Sequence, residues 1–224
     1  MSAENTEQAL AAINDEGLFE RLATAILREA NPTYGSLAHP GVNVKGKTVK
    51  SPLDGICFVE GADPPHMIAV HHTTTARKDL KKKWLYDPSK ANSRKGSQPK
   101  APPGDLIKTA ALVAEERKRT PNLRATLVLT TNEEPEEALV RAVDASGRDR
   151  GLEIDLWPRS RLSHFLDNQP SGQWIRHSFL NIEQERLSAE LLHELSIKSL
   201  EVQRPLDNQS LSRRDIPGGG FWIR

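Results

Sequence analysis

The chain contains one cysteine, Cys57, among 224 residues, so it can form no internal disulfide and offers no cysteine cluster for zinc. Aromatic residues make up 5 % and lie scattered, which argues against a stacking platform for single strands. No run of about 18 apolar residues occurs, so no membrane-spanning helix is expected. The opening MSAENTEQAL is polar and acidic, unlike a signal peptide. Lys+Arg 31 against Asp+Glu 30 leaves +1, so no global field announces a partner. A dinucleotide-binding G-x-G-x-x-G loop, a Walker A loop and a G-x-S-x-G elbow are all missing. Together these absences exclude a disulfide scaffold, a membrane protein, a zinc ribbon and the common nucleotide-binding folds, and they point to a reducing, cytoplasmic setting.

What is present suffices for a folded domain. Hydrophobic residues are 37 % and charged residues 27 %, and a chain near 200 residues buries on the order of 70 % of its unfolded surface. Residues 1–13 read as an N-terminal tail. Leu18, Phe19, Leu22, Ala23, Ile26 and Leu27 predict a helix over 14–30, capped by Asn14 or Asp15 and stopped by Asn31-Pro32. Val42 and Val44 suggest a short edge strand. Residues 54–59 and 67–72 read as an antiparallel strand pair around the turn residues Gly61, Asp63, Pro64 and Pro65.

Further helices are expected at 105–119, with Leu106, Ile107, Ala110, Val113 and Ala114 buried, at 135–146 and at 160–167, the last ended by a turn at 169–172. Residues 124–131 form a continuous apolar strand of central type, and Leu152, Ile154 and Leu156 share one face of a strand at 152–157. This order predicts an α/β fold: a mixed sheet flanked by helices on both faces. Residues 181–204 read as an amphipathic linker helix. Residues 205–224 read as the start of a further region, since the chain stops at Trp222-Ile223-Arg224 where an apolar strand begins.

Four features carry chemistry. Asp54 opens a strand after Ser51-Pro52-Leu53; a carboxylate there suits a divalent cation that activates water at a phosphate, and a plain turn into the strand is the alternative. In Ala69–Thr75 (AVHHTTT), strand alternation puts His71 and Thr73 on one face and His72 on the other. Those histidines either serve a site or are satisfied by local partners. Glu20, at the margin of the first helix's apolar stripe, either turns toward the sheet or is solvated. Residues 76–103 carry nine basic residues against two acids, a local +7; this stretch either grips a phosphate backbone or is a solvated loop.

The order of these elements, with Phe19-Glu20 in the first helix, Pro52-Leu53-Asp54-Gly55 and a strand ending in a polar motif, resembles the PD-(D/E)xK nuclease superfamily, and Phe19-Glu20 is similar to Mrr-like restriction endonucleases. The resemblance spans residues 14–180 and implies a restriction-endonuclease-like sheet. It also implies a metal site of Glu20, Asp54 and His71 for Mg²⁺ or Mn²⁺, and catalytic roles for Asp54, His71, Thr73, Lys82 and Lys83. It implies DNA-backbone contacts from Arg77, Lys78, Lys81, Arg94 and Lys95, with little sequence reading.

Thr73-Thr74-Thr75, Lys83-Trp84-Leu85 and Glu185-Arg186-Leu187-Ser188 resemble nuclease-like domains at the front of bacterial STAND NTPases that act against phage. That likeness implies NTPase and sensor regions after Arg224 and homo-oligomerisation on activation. Two positions depart from the pattern: His71 stands where the acid of the second motif belongs, and Thr73 where its lysine belongs. A histidine favours Mn²⁺ or Zn²⁺ over Mg²⁺, and losing one electrostatic group typically costs about 10²–10³ in rate. The two expectations are therefore a DNA endonuclease with a divergent site, in which Lys82 or Lys83 substitutes for the lysine, and a degenerate nuclease fold that binds nucleic acid or mediates oligomerisation.

Overall fold

The computed structural model describes residues 2–38, 52–90 and 101–183. Within them lie seven α-helices and a four-stranded sheet. The N-terminal segment is not a tail. Ser2–Ala11 is a helix, α1, whose Leu10 is fully buried, and the Asn132 side-chain amide donates to the carbonyls of Leu10 and Ile13 at 3.2 and 2.9 Å. Few apolar residues mark this helix in the sequence; long-range packing against the end of the chain's core holds it.

The second helix, α2 (Glu16–Ala30), forms where the apolar periodicity placed it. The Asp15 carboxylate accepts from the Leu18 amide, and Phe19, Leu22, Ala23, Ile26 and Leu27 are buried. Leu18 is only partly buried, at the edge of that stripe.

β1 (Gly55–Phe58) pairs antiparallel with β2 (His66–Thr73), as the hairpin reading predicts. The chain then runs through a 3-10 turn and α3 (Leu80–Leu85) to α4 (Asp105–Arg119) and returns as β3 (Arg124–Thr131), parallel to β2. After α5 (Glu137–Arg148) comes β4 (Glu153–Trp157), parallel to β3. The sheet order is β1-β2-β3-β4, so β3 is central, as its unbroken apolar run implies. α6 (Arg159–Asn168) and α7 (Pro170–Leu180) complete the layer. Residues 170–172, expected as a turn, are the first residues of α7, which Pro170 starts at a position where its missing N–H costs nothing.

Helices cover both faces, and alternation along β2 sorts the side chains between them. Ile68 and Val70 join α2, α6 and α7 in one core, while Met67 and Ala69 join α3, α4 and α5 in the other. Leu152, Ile154 and Leu156 all pack on the second side, as read from the alternation. Ala114, expected in the core, is exposed; Asp105 and Thr109 take buried places on α4 instead. The expected strand at Val42 and Val44 lies outside the described residues, as does the linker helix expected at 181–204 apart from 181–183, where Asn181 is the left-handed cap that ends α7 and no helix begins.

A buried polar site at the carboxyl edge of the sheet

Parallel strands gather functional groups beyond their carboxyl ends, where the crossovers leave the sheet. β2 ends there in His71, His72 and Thr73, and β3 ends beside it in Thr130 and Thr131. β1 runs the other way, so its start lies at the same edge, and Leu53, buried in the core, pins Asp54 to that start. The Asp54 amide donates to the Val70 carbonyl at 3.0 Å, and the Asp54 carboxylate accepts from the His72 amide at 2.9 Å.

Alternation sends the two histidines to opposite layers, as read from the sequence. On the α2 side, His72 Nε2 is 3.1 Å from Thr24 Oγ1 and its Nδ1 is 2.7 Å from Thr130 Oγ1. On the α4 side, His71 Nδ1 lies 3.5 Å from Asp54 Oδ2 and 3.9 Å from Asp105 Oδ1, while its Nε2 is 3.1 Å from Thr109 Oγ1. Both rings are buried and both nitrogens of each ring face a protein atom.

Burial of Asp54 disfavours its charge, but the His71 hydrogen bond and charge, with the His72 amide, outweigh it and hold the carboxyl below the usual range. Glu20, half-buried on α2, is pushed the opposite way, first by desolvation and then by the charge of Asp54. Glu20 and Asp54 thus sense each other, but Glu20 belongs to the helix layer of His72, whereas His71 faces α4. Among the described residues no three His, Cys, Asp or Glu side chains are grouped to hold a metal ion. The expected set of Glu20, Asp54 and His71 does not fit Mg²⁺ or Mn²⁺: His71 turns Nδ1 as a donor to the carboxylates of Asp54 and Asp105, and its Nε2 is taken up by the Thr109 hydroxyl.

Thr73 is buried and engaged locally. Its hydroxyl donates to Thr75 Oγ1 at 2.8 Å and accepts from the Thr75 amide at 3.1 Å. Lys83 does reach toward the strand end, as the sequence suggests, but through an intermediary. Its Nζ lies 3.5 Å from Asp105 Oδ2, and Lys108 Nζ lies 3.1 Å from Asp105 Oδ1.

Asp105 is 1 % exposed, and it joins His71 to these two lysines. Asp105, Lys108 and Thr109 are the residues that sequence reading missed. Their signal was a polar i, i+3, i+4 set, of which Thr109 sits squarely on the apolar stripe of α4, three residues after Leu106 and four before Val113. The close approach of α3 and α4 makes the cluster possible. Gly104 permits it: a Cβ there would lie 2.6 Å from the Trp84 carbonyl oxygen and 2.8 Å from the Tyr86 amide nitrogen. Trp84 itself is fully buried beneath.

Above this floor opens a pocket of about 340 Å³ lined by Thr75, Asp79, Lys82, Lys83, Gly104 and Lys108, among others. Lys78, Lys81 and Lys82 are exposed, and two further hollows beside α3 are lined in part by the same lysines. None of the three makes an ion pair among the described residues, while Arg77 lies 3.6 Å from Glu136. Arg94 and Lys95 fall outside the described residues. No helix among the described residues is long and apolar enough to cross a membrane. No known family model, curated protein or solved structure matches the chain.

Proposed function

We propose that the chain is a restriction-endonuclease-like module that binds DNA backbone along α3 and is catalytically degenerate at its strand-end site. The observation that carries the reading is the contrast between two sets of side chains. His71 and Thr73, at the positions of the second nuclease motif, are buried and spent on internal hydrogen bonds. Lys78, Lys81 and Lys82, by contrast, face solvent on one short helix and its lead-in turn. Ammonium groups without an ion-pair partner among the described residues, set on one short ridge, can neutralise phosphates without reading bases.

The resemblance to the front domains of STAND NTPases further supports a role as a DNA-contacting part of a cytoplasmic antiphage protein, oligomeric when active. Binding of the full chain to a labelled duplex, followed by fluorescence anisotropy across a salt series, tests the ridge. Affinity should fall steeply with salt, and Lys78→Gln/Lys81→Gln/Lys82→Gln should flatten the slope by about 2–3. A slope unchanged by the triple substitution refutes it.

A second reading, a divergent metal-dependent endonuclease, is favoured by one feature: the charge of Asp54 opposes ionisation of the half-buried Glu20 carboxyl. A divalent cation would relieve that opposition. Supercoiled DNA incubated with the protein and Mg²⁺ or Mn²⁺ separates the readings. Nicking that disappears in Asp54→Ala establishes the second, and intact DNA supports the first.

A further inference from the structure

We propose that the pocket between α3 and α4 receives the terminal phosphate monoester of a nucleic-acid strand, so that the module prefers strand ends over continuous backbone. The inference rests on the DNA-binding reading and names which part of the DNA this pocket takes. A continuous backbone can lie along the exposed ridge, and the neighbouring hollow of about 340 Å³, open to solvent, has room for the phosphate group of a chain end.

The charge in and just beneath the recess is net positive by one, from Lys82, Lys83 and Lys108 against Asp79 and Asp105. Two lysines, Lys83 and Lys108, share the single buried carboxylate of Asp105, so one of their two positive charges is left over. Lys82 adds a third ammonium at the rim against Asp79. Asp105 lies beneath the lining lysines, 1 % exposed, hydrogen-bonded to Lys108 and ion-paired with Lys83, which reduces the side-chain freedom they lose on binding an anion. The side chains of Lys83 and Lys108 remain about one-third exposed, at 37 and 30 %.

Two backbone features point the same way. Gly104, the N-cap of α4, makes no side-chain cap hydrogen bond and lines the pocket wall, so the positive end of a 15-residue helix lies beside the recess. The Thr75 hydroxyl accepts from Thr73, which leaves its own proton to donate to an anion in the pocket. A monoester carries up to two charges and a backbone diester one, so these groups favour the end.

The test needs no substitution to begin. Labelled oligonucleotides identical except for a 5′-phosphate, a 3′-phosphate or hydroxyl ends are titrated with the full chain, and a nucleoside monophosphate is used as competitor. The expected result is that one phosphorylated end binds about tenfold tighter than the hydroxyl-ended strand. The monophosphate should remove that advantage, and Lys83→Gln and Lys108→Gln should each bring the ratio toward one.

Equal affinity for all three strands overturns the proposal and leaves the ridge reading standing. Binding of the monophosphate with no binding of any strand overturns both, and makes the pocket a site for a free phosphorylated metabolite. A preference that survives both substitutions, in variants that unfold at the wild-type temperature, overturns the assignment to this pocket.

Discussion

Asp105 is the residue on which stability and binding should part company. Replacing it with asparagine keeps the shape and leaves Oδ1 able to accept from Lys108, but deletes the negative charge that the two lysines share. Removing one partner of a fully buried ion pair costs about 3–5 kcal/mol, whereas exposed pairs are worth about 0–1. Here the acid is 1 % exposed and its lysines about a third exposed, so the freed ammonium groups can turn to water.

That geometry places the loss between the two limits, at about 2 kcal/mol, including the favourable position of a carboxylate in the first turn of α4. For a domain of this size such a loss lowers Tm by about 4–8 °C. The same substitution raises the positive charge of the pocket by one, so a phosphate-ended strand should bind more tightly while the protein melts earlier. Calorimetry and anisotropy on Asp105→Asn read the two effects separately. A melting temperature within about 1 °C of wild type would show that the buried carboxylate is not coupled to its lysines as described. Weaker phosphate binding in a folded variant would show that Asp105 assists the anion directly.

Three other outcomes follow from the same geometry. Because Asp54 is held below its unfolded value of 3.8, its contribution to stability is complete above that value and fades as pH falls through the lower folded value. Urea midpoints of wild type and Asp54→Asn should therefore converge toward acid, and parallel curves would contradict the His71 contact. Glu20 has the opposite sign: its carboxyl is raised, so ionising it above its folded value costs stability, and Glu20→Gln should melt higher at pH 7. A lower melting temperature there would mean that the charge on Glu20 is used. Gly104→Ala must displace either the α3 carboxyl end or the start of α4, since the new methyl would meet backbone atoms at 2.6–2.8 Å. A loss of roughly 1–3 kcal/mol in denaturant unfolding is expected, with wild-type stability ruling out the close approach.

Much of this molecule is legible in its pattern of apolar residues. Period 3.6 in 14–30, the unbroken run of 124–131 and the alternation of 152–157 each specify an element and its buried side, because those periods are properties of the backbone alone. The opposite facing of His71 and His72 follows from the same rule. What pattern could not reveal is which distant residues meet. Whether 1–13 folds depends on Asn132 and on the core of α6 and α7, more than a hundred residues away.

The site divides along the same line. The sequence already contained Asp54, the polar strand end and the lysine ridge, since strand position and local charge are one-dimensional facts. Only the tertiary structure put Glu20 and His71 on opposite faces of a sheet, and only it lowered Asp105 to the floor between Lys83 and Lys108. Contacts between α3 and α4 depend on the packing of Trp84 and on the missing side chain at Gly104, and no periodicity within either helix encodes that distance.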